Sequence, residues 1–179
     1  EKEAHELLRC YGFPLLKSRL VTDPSEISAA IKEIGLPVVM KLDSPDILHK
    51  SDAGGVRLGI KSQEQAEKTF HEIIASAKRY RPSALIRGIL HQQMAREGVE
   101  VILGSTRDPR FGPICMFGLG GIFVEALKDV TFRLAPMWET SAEIMIRDIK
   151  AYRVLKGIRG RPPADIKAAK LCILRLSAM

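Results

Sequence analysis

Residues 37–60 read PVVMKLDSPDILHKSDAGGVRLGI, an apolar run with a single lysine, then a polar loop, then an alternating run. The apolar run predicts a short strand that contains Lys41, and the alternation of residues 54–60 predicts a second strand. The polar loop between them contains a histidine and ends in two glycines. We therefore expect two strands joined by a loop whose side chains could carry chemistry.

The segments around this stretch predict a small α+β lobe. Pro24 opens a predicted helix that Gly35 ends, and Ser62 caps a longer helix with one apolar face. Two further strands are predicted, at residues 15–21 and 84–94. The order β-α-β-β-α-β is typical of helices packed on one face of a sheet.

The second half of the chain predicts another α+β lobe. Its predicted elements are strands at 98–104, 113–117 and 130–135, a hairpin turn at 105–112, a helix capped by Thr140 or Ser141 that runs to residue 149, and a last helix over 165–179. We place the lobes at residues 1–96, which include a short leading helix, and at residues 97–179. We expect the second lobe to be incomplete at its C-terminal end. The junction between two lobes is a common place for a ligand.

The composition excludes several classes of protein. The sequence has no CxxC, HExxH, GxSxG or GxxxxGK[ST] pattern, which excludes the common zinc hydrolases, nucleophile-elbow hydrolases and P-loop NTPases. Its three cysteines are odd in number and far apart, which favours a reduced, cytoplasmic setting. No apolar run approaches the roughly 18 residues of a membrane span, so we expect no membrane partner.

The positive charge is concentrated in one stretch. Residues 147–175 carry nine bases and two acids, which accounts for the whole formal charge of +7. Such a stretch favours phosphate groups, an acidic partner surface or nucleic acid. Its only aromatic residue is Tyr152, which argues against stacking on single-stranded nucleic acid. The alternative is a basic face that is merely solvated.

Lys41 and the glycine pair Gly54-Gly55 are the first candidate site. A lysine held in an apolar strand aims its ammonium at one place, and paired glycines let backbone N–H groups approach phosphate oxygens. The alternative is a lysine at a strand edge beside an ordinary hairpin turn.

His49 is the second candidate. A histidine in a polar loop can serve as nucleophile or base, and the nearby carboxylate of Asp52 could orient it. The alternative is one of the many loop histidines that have no chemical role.

Three acids near a glycine-rich segment form the third candidate: Glu97, Glu100 and Glu125, with Gly118-Leu-Gly-Gly121. The glycine pattern resembles half of a dinucleotide fingerprint but lacks its strand–helix context. A carboxylate flanked by valines is expensive to bury unless it accepts hydrogen bonds or faces a cleft, where it could bind ribose hydroxyls or a metal. The alternative is that Glu100 simply faces solvent.

Five segments in fixed order together resemble one family. They are PVVMKL at 37–42, SPDILHKSDAGGVRLG at 44–59, EVILGSTRDPRFGP at 100–113, FGLGGIFVE at 117–125 and DVTFRLAP at 129–136, followed by RGRPPAD at 159–165. This set resembles the ATP-grasp domain of ADP-forming (NDP-forming) acyl-CoA synthetases such as acetate–CoA ligase. It is similar to their β-subunit type, which is related to succinyl-CoA synthetase β chains. The resemblance covers nearly the whole chain.

The resemblance implies an α+β ATP-grasp fold that holds a nucleotide in the cleft between two lobes. It implies that Lys41 contacts the α and β phosphates of ATP or ADP, and that the loop with Ser51, Gly54 and Gly55 folds over the phosphates. Two further groups would complete the nucleotide site: Gln93 and Met94 along the adenine edge, and Glu97 or Glu100 on the nucleotide.

The resemblance also implies a phosphoryl relay. An acyl phosphate made on an α-type, CoA-binding subunit or domain phosphorylates a histidine there, and the phosphoryl group then passes to the ATP-grasp domain and to ADP. His49 matches the family's second phosphorylated histidine, and Glu125 and Asp129 are candidates for orienting the arriving histidine. We therefore expect a hetero-oligomer, with no nucleic-acid partner.

One motif of the family is missing. The resemblance implies Mg²⁺ ligands in a final strand with an Asp/Glu-x-Asn-Pro pattern, which does not occur in this sequence. We assign no metal ligand to this chain and expect the Mg²⁺ ligands beyond Met179. The alternative function is a non-catalytic, nucleotide-sensing module like the synthetase-like regulatory region of a protein acetyltransferase.

Overall fold

The computed structural model describes residues 2–121, 128–158, 160 and 162–179. Contacts divide the chain into two compact units. Unit 1 spans residues 15–96, and unit 2 combines residues 2–14 with residues 97–179. The contacts thus divide the chain after residue 96. The leading helix α1 (Lys2–Cys10), which we assigned to the first lobe, groups instead with unit 2, where the Arg175 guanidinium donates to the carbonyl of Gly12.

Unit 1 has the predicted β-α-β-β-α-β order. Its elements are β1 (Ser18–Val21), a 3₁₀ turn (Pro24–Glu26), α2 (Ile27–Ile34), β2 (Val38–Asp43), β3 (Val56–Ile60), α3 (Gln63–Tyr80) and β4 (Gly88–Gln93). The strands form an antiparallel sheet in the order β1-β4-β2-β3. The cap predicted for α3 is confirmed, because the Ser62 side chain accepts a hydrogen bond of 3.1 Å from the N–H of Gln65.

The core of unit 1 lies between its sheet and the two helices. Alternate residues of β2 (Val38, Met40 and Leu42) are fully buried together with Ala30 of α2 and Ile73 of α3. Because successive strand residues point to opposite faces, the other residues of β2 are directed away from the helices. The sheet therefore has one face packed on helices and one face that carries Lys41.

Unit 2 combines a three-stranded sheet with helices. Its elements after residue 97 are β5 (Val101–Asp108), β6 (Gly112–Leu119), β7 (Val130–Leu134), α4 (Glu139–Arg147), α5 (Tyr152–Leu155) and α6 (Ile166–Ser177). The sheet is antiparallel in the order β5-β6-β7. Its core joins Phe117 and Leu119 of β6 to Met145 and Ile146 of α4 and Ile173 of α6.

Three sequence predictions for unit 2 were wrong in detail. The hairpin turn is shorter than 105–112, because β5 continues to Asp108 and β6 begins at Gly112. Asp108 holds this tight turn by accepting hydrogen bonds from two backbone N–H groups. Neither Thr140 nor Ser141 caps α4, which begins after Trp138 without a side-chain cap. The short helix α5 was not predicted.

Within the described part of the chain, every helix is too short or too polar to cross a bilayer.

Candidate nucleotide and phosphoryl-transfer site

Lys41 lies in β2 on the sheet face opposite α2 and α3. Its neighbours Met40 and Leu42 are fully buried against those helices, so strand alternation directs Lys41 to the other face. Its ammonium donates a hydrogen bond of 2.6 Å to Oε1 of Gln92. The register of β2 and β4 pairs Lys41 with Leu90, which makes Gln92 its diagonal neighbour on the same face. The amide therefore helps to fix the direction of the ammonium.

His49 lies at the tip of residues 44–55, which we call the His49 loop. Ile47 and Ala53, on its two sides, are buried in the core of unit 1. Three polar side chains between them are exposed: His49, Ser51 and Asp52. The loop thus presents an imidazole, a hydroxyl and a carboxylate to solvent between two buried residues.

Gly54 and Gly55 close this loop by backbone hydrogen bonds. The N–H of Gly54 donates to the carbonyl of Ser51 at 3.0 Å, and that of Gly55 donates to the carbonyl of Lys50 at 2.7 Å. A Cβ on Gly55 would lie 2.9 Å from both the Lys50 carbonyl oxygen and the Cβ of Leu42, so a side chain there would clash. The N–H groups that we expected to face phosphates are donated inside the loop. Close packing against Leu42 of β2 gives a further reason why residue 55 is a glycine.

The residues predicted to lie along the adenine edge follow one another at the end of β4. Gln93 is exposed, and its backbone N–H donates to the carbonyl of Lys17 at 2.9 Å. Met94 is half-buried. Glu97, which is exposed, already belongs to unit 2.

Glu100 meets the glycine-rich segment inside unit 2. Its backbone carbonyl accepts a hydrogen bond of 2.7 Å from the N–H of Gly120. A Cβ built on Gly120 would lie 3.0 Å from the Cβ of Glu100, and one on Gly121 would lie 3.0 Å from its carboxylate oxygen Oε2. The exposed carboxylate of Glu100 therefore lies directly over these two glycines.

Asp129 is buried and bonded to the backbone. Only 5% of its surface is exposed, and its two carboxylate oxygens accept hydrogen bonds of 2.7 Å from the N–H groups of Lys150 and Ala151. These bonds tie the start of β7 to the residues that precede α5. Glu125, the other predicted orienting acid, lies outside the described residues.

The sequence analysis missed three residues that contact this site. Gln92 binds Lys41, Asp46 joins the His49 loop to the segment after α3, and Arg57 donates to the carbonyls of Gly54 and Val56 at 3.0 Å. The only sequence signal for Gln92 was a polar side chain at the end of an apolar strand. The contacts of Asp46 and Arg57 depend on tertiary structure.

Burial shifts the pKa values of one histidine in unit 1 and two cysteines in unit 2. His91, on the helix-packed face of β4, has 0% exposure, and its Nε2 has no hydrogen-bond partner. Burial lowers the pKa of His91, and a contact of Nδ1 with the carbonyl of Ile89 opposes this only partly. Burial raises the pKa of the Cys115 and Cys172 thiols, so neither is favoured as a reactive thiolate.

The family model for the ATP-grasp domain matches all of residues 1–179. Among curated proteins, the acetate–CoA ligase [ADP-forming] II subunit beta of Pyrococcus furiosus is 51% identical over 179 residues, which are 100% of this chain and 76% of that subunit. The chain belongs to the ATP-grasp domains of ADP-forming acyl-CoA ligases. The 4-hydroxybutyrate–CoA ligase [ADP-forming] of Nitrosopumilus maritimus is 47% identical over the whole of this chain, which spans only 26% of that longer protein.

Solved structures support the ATP-grasp assignment. The dinucleotide-forming acetyl-coenzyme A synthetase 1 of Ca. Korarchaeum cryptofilum, in complex with coenzyme A, Ca-AMPCP and HgCl⁺, matches with a TM-score of 0.96 and 48% identity over 99% of this chain and 78% of that one. A second structure of that synthetase has a TM-score of 0.86 and 44% identity over 99% of this chain and 76% of that one. It contains coenzyme A and Mg-AMPPCP, with a phosphohistidine segment pointing towards the nucleotide binding site.

These matches confirm two predictions, the family and the α+β ATP-grasp fold. They do not favour the non-catalytic alternative, because the matched relatives carry the names of ligases and synthetases. The site residues named above remain predictions.

Among the described residues of this ATP-grasp domain, the side chains alone form no cluster for a metal ion. No group of three or more histidine, cysteine, aspartate or glutamate side chains within them lies close enough to hold a metal ion. Mg²⁺ usually needs carboxylate ligands in addition to substrate phosphates. We therefore assign no step to a metal held by these residues.

Proposed function

We propose that this chain is the nucleotide-binding, phosphoryl-transfer domain of an ADP-forming acyl-CoA synthetase. The reversible reaction converts acyl-CoA, ADP and phosphate into the free acid, CoA and ATP. The observation that carries the proposal is the 51% identity, over every residue of this chain, with a subunit named for that reaction. The exposed position of His49 supports a role as phosphoryl carrier, since a relay residue must reach both donor and acceptor.

His49 is the proposed phosphoryl acceptor. A ring nitrogen of the neutral imidazole attacks phosphorus, forming an N–P bond while the bond to the donor atom breaks and its electron pair leaves with the donor. The ring then releases the proton from its other nitrogen. In the second step a terminal oxygen of ADP attacks the same phosphorus, the N–P bond breaks, and the ring takes up a proton again to return the neutral imidazole. Each step exchanges one bond for another, so catalysis rests on positioning and on neutralising phosphate charge.

Lys41 is the proposed counter-charge for the α and β phosphates. Its ammonium donates to the amide oxygen of Gln92, which helps to orient it. The resemblance implies other residues around the nucleotide: Ser51, Gly54 and Gly55 near the phosphates, Gln93 and Met94 along adenine, and Glu97 and Glu100 on the nucleotide. The N–H groups of Gly54 and Gly55 are already donated inside the loop, so the proposed role of these glycines is to shape it. The exposed carboxylate of Glu100, which lies against Gly120 and Gly121, supports its proposed role.

Asp129 and Glu125 are proposed to orient the histidine that arrives from the partner. Each carboxylate oxygen of Asp129 already accepts one backbone hydrogen bond, and each has a further lone pair. The proposed partner is an α-type, CoA-binding subunit or domain, and the basic residues of 147–175 offer it a positively charged surface. Three free cysteines support a reducing, cytoplasmic setting for this hetero-oligomer.

The test is turnover by the complete enzyme with His49→Ala. We expect net conversion of acyl-CoA and ADP to fall about 10³-fold or more, because the nucleophile of a covalent step is lost. ADP affinity should change little. His71→Ala, which removes an exposed imidazole on α3, is the matched control and should retain turnover. Unchanged turnover in His49→Ala would refute the relay.

A further inference from the structure

The two legs of the His49 loop are fixed to the body of unit 1 by contacts that the chemistry above does not use. The first leg, residues 44–47, follows β2, and the second, residues 53–55, leads into β3. Between them, the tip carries the exposed His49, and the N–H of Ala53 donates to the carbonyl of His49 at 3.4 Å.

The first leg is hydrogen-bonded to the segment between α3 and β4. Ser44 donates its hydroxyl to the carbonyl of Leu85 at 2.7 Å, and the N–H of Leu85 donates back to Oδ2 of Asp46 at 2.7 Å. The Arg81 guanidinium donates to the carbonyl of Asp46 at 2.7 Å. Ile47, with 2% of its surface exposed, places the next residue of the leg in the core.

The second leg is held by Arg57 and by close packing. The Arg57 guanidinium donates to the carbonyls of Gly54 and Val56, each at 3.0 Å. The carbonyl of Gly55 accepts a hydrogen bond of 2.7 Å from the N–H of Leu42. The surrounding atoms leave no room for a Cβ on Gly55. The tip that carries the exposed imidazole is therefore short, and the backbone on both sides of it is held by hydrogen bonds and packing.

We propose that Asp46 and Arg81 are positioning residues for phosphoryl transfer at His49, which they serve by fixing the first leg of its loop. This inference rests on the proposed function of His49. Neither residue is proposed to touch the phosphoryl group; both fix the backbone at Asp46, three residues before the imidazole. In-line phosphoryl transfer depends on such placement, because a displacement of about 1 Å can slow a reaction about 100-fold.

The experiment measures the rate at which acid-labile phosphate forms on His49 in the complete enzyme by rapid quench, at saturating ATP and well below the unfolding temperature. We expect Asp46→Ala and Arg81→Ala to slow this step about 10- to 100-fold while the ATP concentration for half-saturation stays unchanged. Asp46→Asn, which retains an oxygen to accept the N–H of Leu85, should recover most of the rate.

Arg79→Ala is the matched control. It removes another exposed arginine near the end of α3, whose guanidinium binds only Ser76 of its own helix. It should phosphorylate His49 at the wild-type rate. A purely structural role for Asp46 would lower the thermal midpoint and leave the rate at saturation untouched.

The outcomes separate the two proposals. If wild-type enzyme forms phosphate on His49 and both alanine variants form it equally fast, the positioning role is overturned while the proposed function stands. If wild-type enzyme forms no phosphate on His49, the proposed function fails and the positioning role fails with it. A slow step in the alanine variants with recovery in Asp46→Asn supports both.

Discussion

At the scale of single residues, the position of Lys41 in its strand and its hydrogen bond to Gln92 lead to a prediction about ADP binding. The ammonium is held on the face opposite the helices by a 2.6 Å hydrogen bond to a neutral amide. We expect Lys41→Met to weaken ADP binding about 10- to 100-fold, the loss of one charge-assisted contact. Calorimetric titration checks this, with Lys32→Met on the exposed side of α2 as control. Equal affinity of the two variants for ADP would contradict the proposed contact between Lys41 and the phosphates.

His91 carries a prediction about stability and pH. Burial lowers its pKa in the folded chain, whereas the unfolded chain binds a proton near pH 6.5. The unfolded state therefore takes up more protons as pH falls below that value, and the free energy of unfolding should decrease. Thermal midpoints between pH 7.5 and 5.5 should fall less in His91→Gln than in wild type. The control His71→Gln, at an exposed site, should keep the wild-type slope. A wild-type slope in His91→Gln would contradict this.

Sequence reasoning succeeded for residues whose role follows from local pattern. The direction of Lys41 follows from strand alternation, and the Ser62 cap follows from the residue types at a helix start. It missed three residues whose partners are set by tertiary structure. Gln92 binds Lys41 across the sheet, and Asp46 binds the N–H of Leu85, which is 39 residues away. Arg57 binds a backbone carbonyl, that of Gly54. Such contacts are set by register and tertiary packing, which single-sequence patterns do not contain.

At the scale of elements, Gly55 couples the His49 loop to β2. A methyl group there would lie 2.9 Å from the Lys50 carbonyl oxygen and the Cβ of Leu42. We expect Gly55→Ala to lower the free energy of unfolding by about 1–3 kcal/mol, a typical cost of overpacking. Gly98→Ala, where a Cβ meets nothing within 4 Å, is the control and should change it little. Urea unfolding measures the free energy of unfolding of both variants. Equal values for Gly55→Ala and Gly98→Ala would contradict this prediction, because they would mean that the loop shifts to accept the methyl group at little cost.

Asp129 couples β7 to the start of α5. Asp129→Ala would remove the 5%-exposed carboxylate that accepts the N–H groups of Lys150 and Ala151, so we expect a loss of about 2–4 kcal/mol in the free energy of unfolding. Asp108→Ala is the matched control: that carboxylate also accepts two backbone N–H groups, but in a turn that water can reach. Its loss should be about 1 kcal/mol. If urea unfolding showed the same loss of free energy in Asp129→Ala and Asp108→Ala, burial would not explain the importance of Asp129.

Elements were easier to predict than their ends. The alternation and capping patterns located every strand and all but one helix among the described residues, but misjudged the hairpin turn and the start of α4. The short helix α5 has only four residues, too few to show a helical period. The placement of α1 with unit 2 depends on the contact between Arg175 and Gly12, residues 163 positions apart.

At the scale of the whole molecule, the proposed function makes this chain one half of a relay. The chain carries a candidate nucleotide site, an exposed His49 and a stretch, residues 147–175, with nine bases and two acids. The central claim is therefore that His49 carries the phosphoryl group between partner and nucleotide.

The most direct test is to label the complete enzyme with ATP radioactive in its γ-phosphate and to find the modified peptide. We predict acid-labile, base-stable label on the peptide that contains His49, removed by a chase with ADP and absent from His49→Asn. Label that is missing from that peptide in wild-type enzyme, while turnover proceeds, would contradict the account.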